Sequence, residues 1–168
     1  IGDNTLTGDV PSGLTIELRI AGTSDGAFLS TTGPVTNYGT VNVISGGGYI
    51  PNGAYGKLTA TSGAFTNAGT LSLNASASGS GGYANQVARF VGDLVNDTTG
   101  ALTATTAGPT TPRVHFTGGT FTNRGQFTVD GRADIDSTSF TNQSGATITA
   151  NAGAILDVSD VSGGLVDN

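Results

Sequence analysis

The sequence predicts an all-β fold, a right-handed single-stranded parallel β-helix (β-solenoid) of about six irregular coils. Three observations carry that expectation. A pattern of apolar, Thr, Asn, any residue, Gly, any residue, apolar, any residue, apolar recurs at Val35–Val43, Phe65–Leu73 and Phe121–Val129. Looser copies begin at Leu94 and Phe140, and a truncated one at Leu165. The spacing between copies varies, as it does when loops of different length interrupt one side of a solenoid. Finally, the composition is rich in turn formers, with 28 Gly, yet apolar residues still recur in order, which disordered chains of low hydrophobicity lack.

The chain reads as one domain, 1–168, with an N-terminal coil at 1–34 and repeat coils at 35–168. In the first part, Leu14, Ile16, Leu18 and Ile20 alternate with Thr15, Glu17 and Arg19, the period of a strand with one wet face. Pro11-Ser12-Gly13 turns into this strand, residues 22–26 turn out of it, and Ala27-Phe28-Leu29 forms a short second strand. A helix over 83–95 is disfavoured by Gly81-Gly82 before it and Gly92 within it.

From Val35 the repeat takes over. Its asparagines, Asn37, Asn67, Asn96, Asn123, Asn142 and Asn168, are separated by 30, 29, 27, 19 and 26 residues. Each side-chain amide can donate and accept to its counterpart in the next coil, as a stacked ladder. The glycine after each Asn is expected to supply a backbone conformation that other residues resist, so that the chain turns a corner there. Two residues before each Asn stand Val35, Phe65, Leu94, Phe121, Phe140 and Val166, which would stack as an apolar column. Strands follow each corner (Val41 and Val43, Leu71 and Leu73, Phe127 and Val129) and precede it (58–60, 88–90, 114–116, 133–135), leaving a third, variable side. A β-sandwich accounts for short strands but not for one corner recurring with the same flanks.

The run Phe140-Thr141-Asn142-Gln143-Ser144-Gly145-Ala146-Thr147-Ile148, continued through Asn151-Ala152-Gly153-Ala154-Ile155-Leu156-Asp157-Val158, resembles the repeats of filamentous-haemagglutinin-type and autotransporter surface proteins. The resemblance implies a β-helical stalk or adhesin exported by bacteria, hence an extracellular or cell-surface location. The coils are longer and less regular than those repeats.

Charge narrows the function classes. The net charge is −6, with six Lys and Arg in all, too few and too scattered for a nucleic-acid surface. No apolar run reaches the roughly 20 residues of a spanning helix, so membrane insertion is not expected. Cys is absent, against a disulfide-stapled scaffold. The chain begins at Ile1 rather than Met and reads as a processed or excised piece. Joined end to beginning, Asn168 is followed by Ile1-Gly2 and then Leu6, which continues the repeat. Head-to-tail self-association, or neighbouring repeats of a longer chain, is therefore the expected partnership.

No catalytic set is expected. His115 is the only histidine and Glu17 the only glutamate, whereas glycoside hydrolysis generally needs two carboxylates facing one cleft. In Val114-His115-Phe116 the imidazole falls opposite its apolar neighbours and is expected in solvent. No cofactor is expected; Asp130, Asp134 and Asp136, with Arg132 between them, are the candidate Ca²⁺ ligands or equally a solvated strand face. Tyr38, Tyr49, Tyr55 and Tyr83 are candidate ligand contacts, two of them in Gly-Gly-Tyr loops; such tyrosines stack on sugars or on a protein partner. Cell-surface glycans and host proteins are thus the partners considered. The sequence favours a non-catalytic stalk, filament unit or adhesive module. The alternative is a carbohydrate-binding or polysaccharide-processing β-helix, with a cleft lined by the tyrosines and aspartates. An ice-binding face would need regular Thr-x-Thr ranks, and the threonines are spaced irregularly in sequence.

Overall fold

A computed structural model describes residues 3–20, 26–46, 55–76, 86–108, 112–159 and, for the backbone, 165–167. Throughout these residues the regular elements are strands, and the chain is a parallel β-solenoid. An incomplete first coil holds β1 (Asn4–Leu6) and β2 (Thr15–Arg19). Then come triplets: β3 (Gly26–Thr31), β4 (Val35–Asn37) and β5 (Thr40–Ser45); β6 (Tyr55–Ala60), β7 (Phe65–Asn67) and β8 (Thr70–Ser76). The next two are β9 (Val87–Val91), β10 (Leu94–Asn96) and β11 (Ala101–Ala107), then β12 (Arg113–Thr117), β13 (Thr120–Asn123) and β14 (Gln126–Asp130). The last is β15 (Arg132–Asp136), β16 (Ser139–Asn142) and β17 (Thr147–Ala150), after which β18 (Ile155–Val158) and β19 (Leu165–Asp167) start another turn.

Successive coils pair in parallel, so each position in the triplet builds one sheet. Sheet A is β1-β3-β6-β9-β12-β15-β18, sheet B is β4-β7-β10-β13-β16-β19, and sheet C is β2-β5-β8-β11-β14-β17. The sequence led us to expect two strands and a variable third side; instead the corner residues Phe-Thr-Asn are themselves a short strand, and all three sides are sheet. What varies is one connection. Residues 46–54, 77–86 and 108–112 all join sheet C to sheet A, and in the following coil Gly131 alone does so. The connections from A to B and from B to C stay short through β17, because the buried asparagine and apolar columns beside them must stay in register.

Alternation sends one face of each sheet inward. Sheet B contributes Val35, Phe65, Leu94, Phe121 and Phe140, all buried. Sheet C contributes Val41, Leu71, Leu102 and Phe127, and sheet A contributes Leu29, Leu58, Phe90, Phe116 and Ile135. In one coil a phenylalanine from each sheet meets at the axis: Phe116, Phe121 and Phe127 have ring centroids 5.1–5.7 Å apart, and Phe121 also lies 5.0 Å from Phe140. Each such ring contributes roughly 1.5–3 kcal/mol by burial. The opening alternation is less covered than its pattern implied. Leu18 and Ile20 are buried, but Leu14 is 47% exposed, because β2 is the edge strand of sheet C and no coil packs over it.

Two corner expectations need correction. Gly39, Gly69, Gly100 and Gly125 do not adopt a left-handed backbone; they are glycine for lack of room. A Cβ on Gly69 would lie 2.3 Å from the Gly39 carbonyl oxygen of the preceding coil. Only Gly145, where the corner is one residue longer than that at Asn123, has a positive φ, 86°. The C-terminal register is also offset by one. Leu165, not Val166, pairs with Phe140, and Asp167, not Asn168, pairs with Asn142. Leu165/Asp167 and Val166/Asn168 both satisfy the two-residue spacing of the repeat, and the fold takes the first. The end-to-beginning reading changes with it. β1 pairs in sheet A rather than in sheet C, so Leu6 does not continue the strand that follows a ladder corner.

Candidate functional site

The asparagine ladder is the most ordered polar feature of the rod. Asn37, Asn67, Asn96 and Asn123 are fully buried. The Nδ2 of each donates to the Oδ1 of the next: Asn37 to Asn67 at 2.8 Å, Asn67 to Asn96 at 2.8 Å, Asn96 to Asn123 at 2.7 Å and Asn123 to Asn142 at 2.7 Å. The second proton of each goes to a backbone carbonyl, of Thr70, Ala101, Gln126 and Thr147 in turn. Burial without partners would be costly, and here the amides hold the three-sided turn closed. Asn168 lies outside the described residues. The ladder is structural; from Asn37 to Asn123 it is closed off from solvent, and Asn142 is partly exposed.

Chemistry that does reach solvent collects on the outer face of sheet A. One rank runs across the coils as Phe28, Lys57, Arg89, His115, Asp134 and Asp157. Beside it stand Tyr55, Arg113 and Arg132 on one flank and Asp136 on the other. Four of the six Lys and Arg of the chain therefore share one sheet face.

The C-terminal half of this face is internally paired. Asp134 is buried between Arg132 Nε at 2.7 Å and Arg113 at 3.3 Å, and Arg132 also reaches Asp157 at 3.3 Å. His115 is not in open solvent as its position in the strand suggested. Its side chain is 21% exposed, 3.8 Å from Asp136. Burial, and next the charge of Arg89, hold its pKa below the usual imidazole range, against the opposing pull of Asp134 and Asp136. The N-terminal half differs. Lys57 lies over the ring of Phe28 and Arg89 over the ring of Tyr55, each 5.1 Å from the centroid, with the two rings 5.4 Å apart.

The candidate Ca²⁺ ligands are not brought together. Asp130 closes β14 in sheet C, Asp134 is taken up by two arginines, and Asp136 faces His115. Among the described residues no three His, Asp or Glu side chains gather as a metal site. The tyrosines are dispersed too. Tyr38 is exposed at the corner between sheets B and C, Tyr55 opens β6 in sheet A, and Tyr49 and Tyr83 lie outside the described residues. Among the described residues, Tyr38, Tyr55 and the three aspartates stand apart, at a corner between sheets B and C, in sheet A and at the end of β14. A shallow hollow of about 220 Å³ lies at the corner between sheets C and A, lined by Thr106, Pro112, Gly131, Arg132 and Ile155 among others, and it holds no acid–base pair.

The threonines are more regular than the sequence implied. On sheet B, Thr36, Thr66, Thr122 and Thr141 form one rank broken by Val95. On sheet C, Thr103, Thr128 and Thr149 share one column, but their Thr-x-Thr partners Thr105 and Thr147 fall on opposite sides of it, so they build no continuous two-column array.

Sequence reasoning missed Lys57, Arg89 and Phe28. The signal was available. Each sits beside an inward apolar residue in the strand that precedes the ladder corner, and aligning those strands would have put them in one rank.

No family model matches the chain, nor does any curated protein or solved structure.

Proposed function

We propose that the chain is a non-catalytic extracellular β-solenoid, serving a bacterial surface protein as a stalk, filament unit or adhesive module. The observation that carries this reading is the open stacking surface of the described coils. At one end the edge strands β1 and β2 and the uncovered Leu14 wait for another coil, and at the other β17, β18 and β19 present the opposite edge. Unpaired strand edges are templates for further pairing, and a repeat architecture buries its faces only by stacking. The natural cover is a neighbouring coil, from a longer chain or a second copy placed head to tail. The likeness to exported bacterial repeats supports the surface location. The ion-paired acids of sheet A favour a scaffold over a hydrolase, whose carboxylates would face one cleft.

The test is negative-stain microscopy across a concentration series with light scattering alongside. Rods with an axial repeat near one unit, on the order of 30 Å for six strand spacings, support stacking between copies. A monodisperse monomer at high concentration overturns the filament unit.

A further inference from the structure

The outer face of sheet A places like charges side by side. Lys57 pairs in register with Arg89, so neighbouring strands hold these two cations one strand spacing apart, about 4.8 Å. Like charges directly opposite on adjacent strands destabilise a sheet. Elsewhere on the same face that tension is relieved by carboxylates: Arg113 and Arg132 share Asp134, and Arg132 also reaches Asp157. Lys57 and Arg89 have no carboxylate within ion-pair distance among the described residues. They rest instead on Phe28 and Tyr55, contacts that hold a cation in place while leaving its charge uncompensated. The Nε of Arg89 is also buried, with no hydrogen-bond acceptor among the described residues, a costly arrangement for a group that is always charged. Two uncompensated cations and an unused buried donor, in a chain of net charge −6, describe a seat for an anion.

We propose that Lys57 and Arg89, set on Phe28 and Tyr55, bind the carboxylates of an acidic polysaccharide lying across the coils of sheet A. A guanidinium receives a planar carboxylate through two parallel hydrogen bonds, and the neighbouring ammonium adds a point charge. A linear polymer suits a flat parallel face whose binding groups recur from strand to strand. A second copy turned end for end is the less fitting occupant, because the carboxylates it would bring, Asp134, Asp136 and Asp157, already face Arg113, His115 and Arg132. The proposal rests on the adhesive part of the function above and is independent of end-to-end stacking, since the outer face stays open when coils stack.

The experiment is affinity electrophoresis of the whole chain through gels containing polygalacturonate, dextran sulfate, neutral dextran or single-stranded DNA. Retardation by polygalacturonate and not by neutral dextran is expected. Lys57→Gln and Arg89→Gln should each weaken it about tenfold, the loss of one charge-assisted contact. Arg124→Gln, which removes an exposed arginine at another corner, should leave it unchanged. Circular dichroism on every variant confirms the fold. Equal loss with Arg124→Gln, or equal retardation by DNA, would show a generic charge effect and overturn the site. Retardation by dextran sulfate alone would move the ligand from carboxylate to sulfate and overturn the stated class. No retardation, together with a salt-sensitive dimer that Arg89→Gln abolishes, would assign the face to self-contact. Failure of this test with rods still visible by microscopy leaves the stalk reading standing.

Discussion

Asn67 donates from one side-chain nitrogen both to Asn96 Oδ1 at 2.8 Å and to the Ala101 carbonyl at 3.2 Å. The same amide thus ties its coil to the next through a side chain and through a backbone at once. Asn96 repeats the arrangement toward Asn123 and Gln126. Replacing Asn96 by Ala leaves Asn123 Oδ1 and the Gln126 carbonyl without this donor in a buried site. We expect a loss of about 3 kcal/mol, measured by urea unfolding followed by circular dichroism. Asn42→Ala, on the outer face of sheet C, should change stability by less than about 0.5 kcal/mol.

Gly69 and Gly145 test two different reasons for a glycine. A Cβ at Gly69 would meet the Gly39 carbonyl and the Tyr38 backbone, which cannot move without breaking the coil below. Gly69→Ala should cost roughly 2–3 kcal/mol as overpacking. Gly145 has open space around it and a φ of 86°, so Gly145→Ala should cost only the left-handed penalty, about 1 kcal/mol. Gly145→Asn, which tolerates that conformation, should recover part of it, whereas Gly69→Asn should be worse than Gly69→Ala. Thermal melts of the four variants rank them.

The three-sheet aromatic contact is the centre of the core. Phe121 touches Phe116, Phe127 and Phe140, and Phe121→Ala should cost about 4 kcal/mol by loss of burial and an unfilled cavity. Because coils interact chiefly with their neighbours, such a defect at one coil should split unfolding into two steps. A single sharp transition in differential scanning calorimetry would contradict that.

His115 gives the chain a pH dependence of definite sign. Its folded pKa lies below the ordinary 6.5 because it is partly buried and faces Arg89. As pH falls through about 6.5, the unfolded chain takes up a proton that the folded one refuses. Stability from this group is therefore full above that value and declines until the folded imidazole titrates too. His115→Gln should flatten melting temperature against pH across that window. Arg89→Gln should raise the His115 pKa, read by an NMR titration of the imidazole; an unchanged pKa would mean that burial alone sets it.

The repeat made most of the fold legible, because an apolar column two residues before a buried amide constrains a chain strongly. Phe65, Phe121 and Phe140 could be placed inside from sequence, and so could Asn67 and Asn123. The C-terminal register was not legible, since Leu165-Val166-Asp167-Asn168 satisfies the spacing in two ways. The third sheet was missed because Phe-Thr-Asn is too short to read as a strand until three neighbouring coils pair with it. The charged face of sheet A was hidden for a different reason. Lys57 and Arg89, 32 residues apart, become neighbours through connections whose lengths differ, so a fixed period does not align them and only matching the strands before each corner does.

The parallel pairing also has a mechanical consequence. Every bond between coils, in the three ladders and in the asparagine stack, runs along the rod axis. Tension between the two ends therefore pulls on whole coil-to-coil interfaces in series, and the weakest opens first. The 27 residues from Asn96 to Asn123, once freed, would lengthen the chain by on the order of 90 Å against a lost rise of about 4.8 Å. Under an optical trap the rod should yield in a sawtooth, one coil per tooth. It would act as a shock absorber whose step size is set by the connection between sheets C and A, with the shortest coil, from Asn123 to Asn142, giving the smallest step.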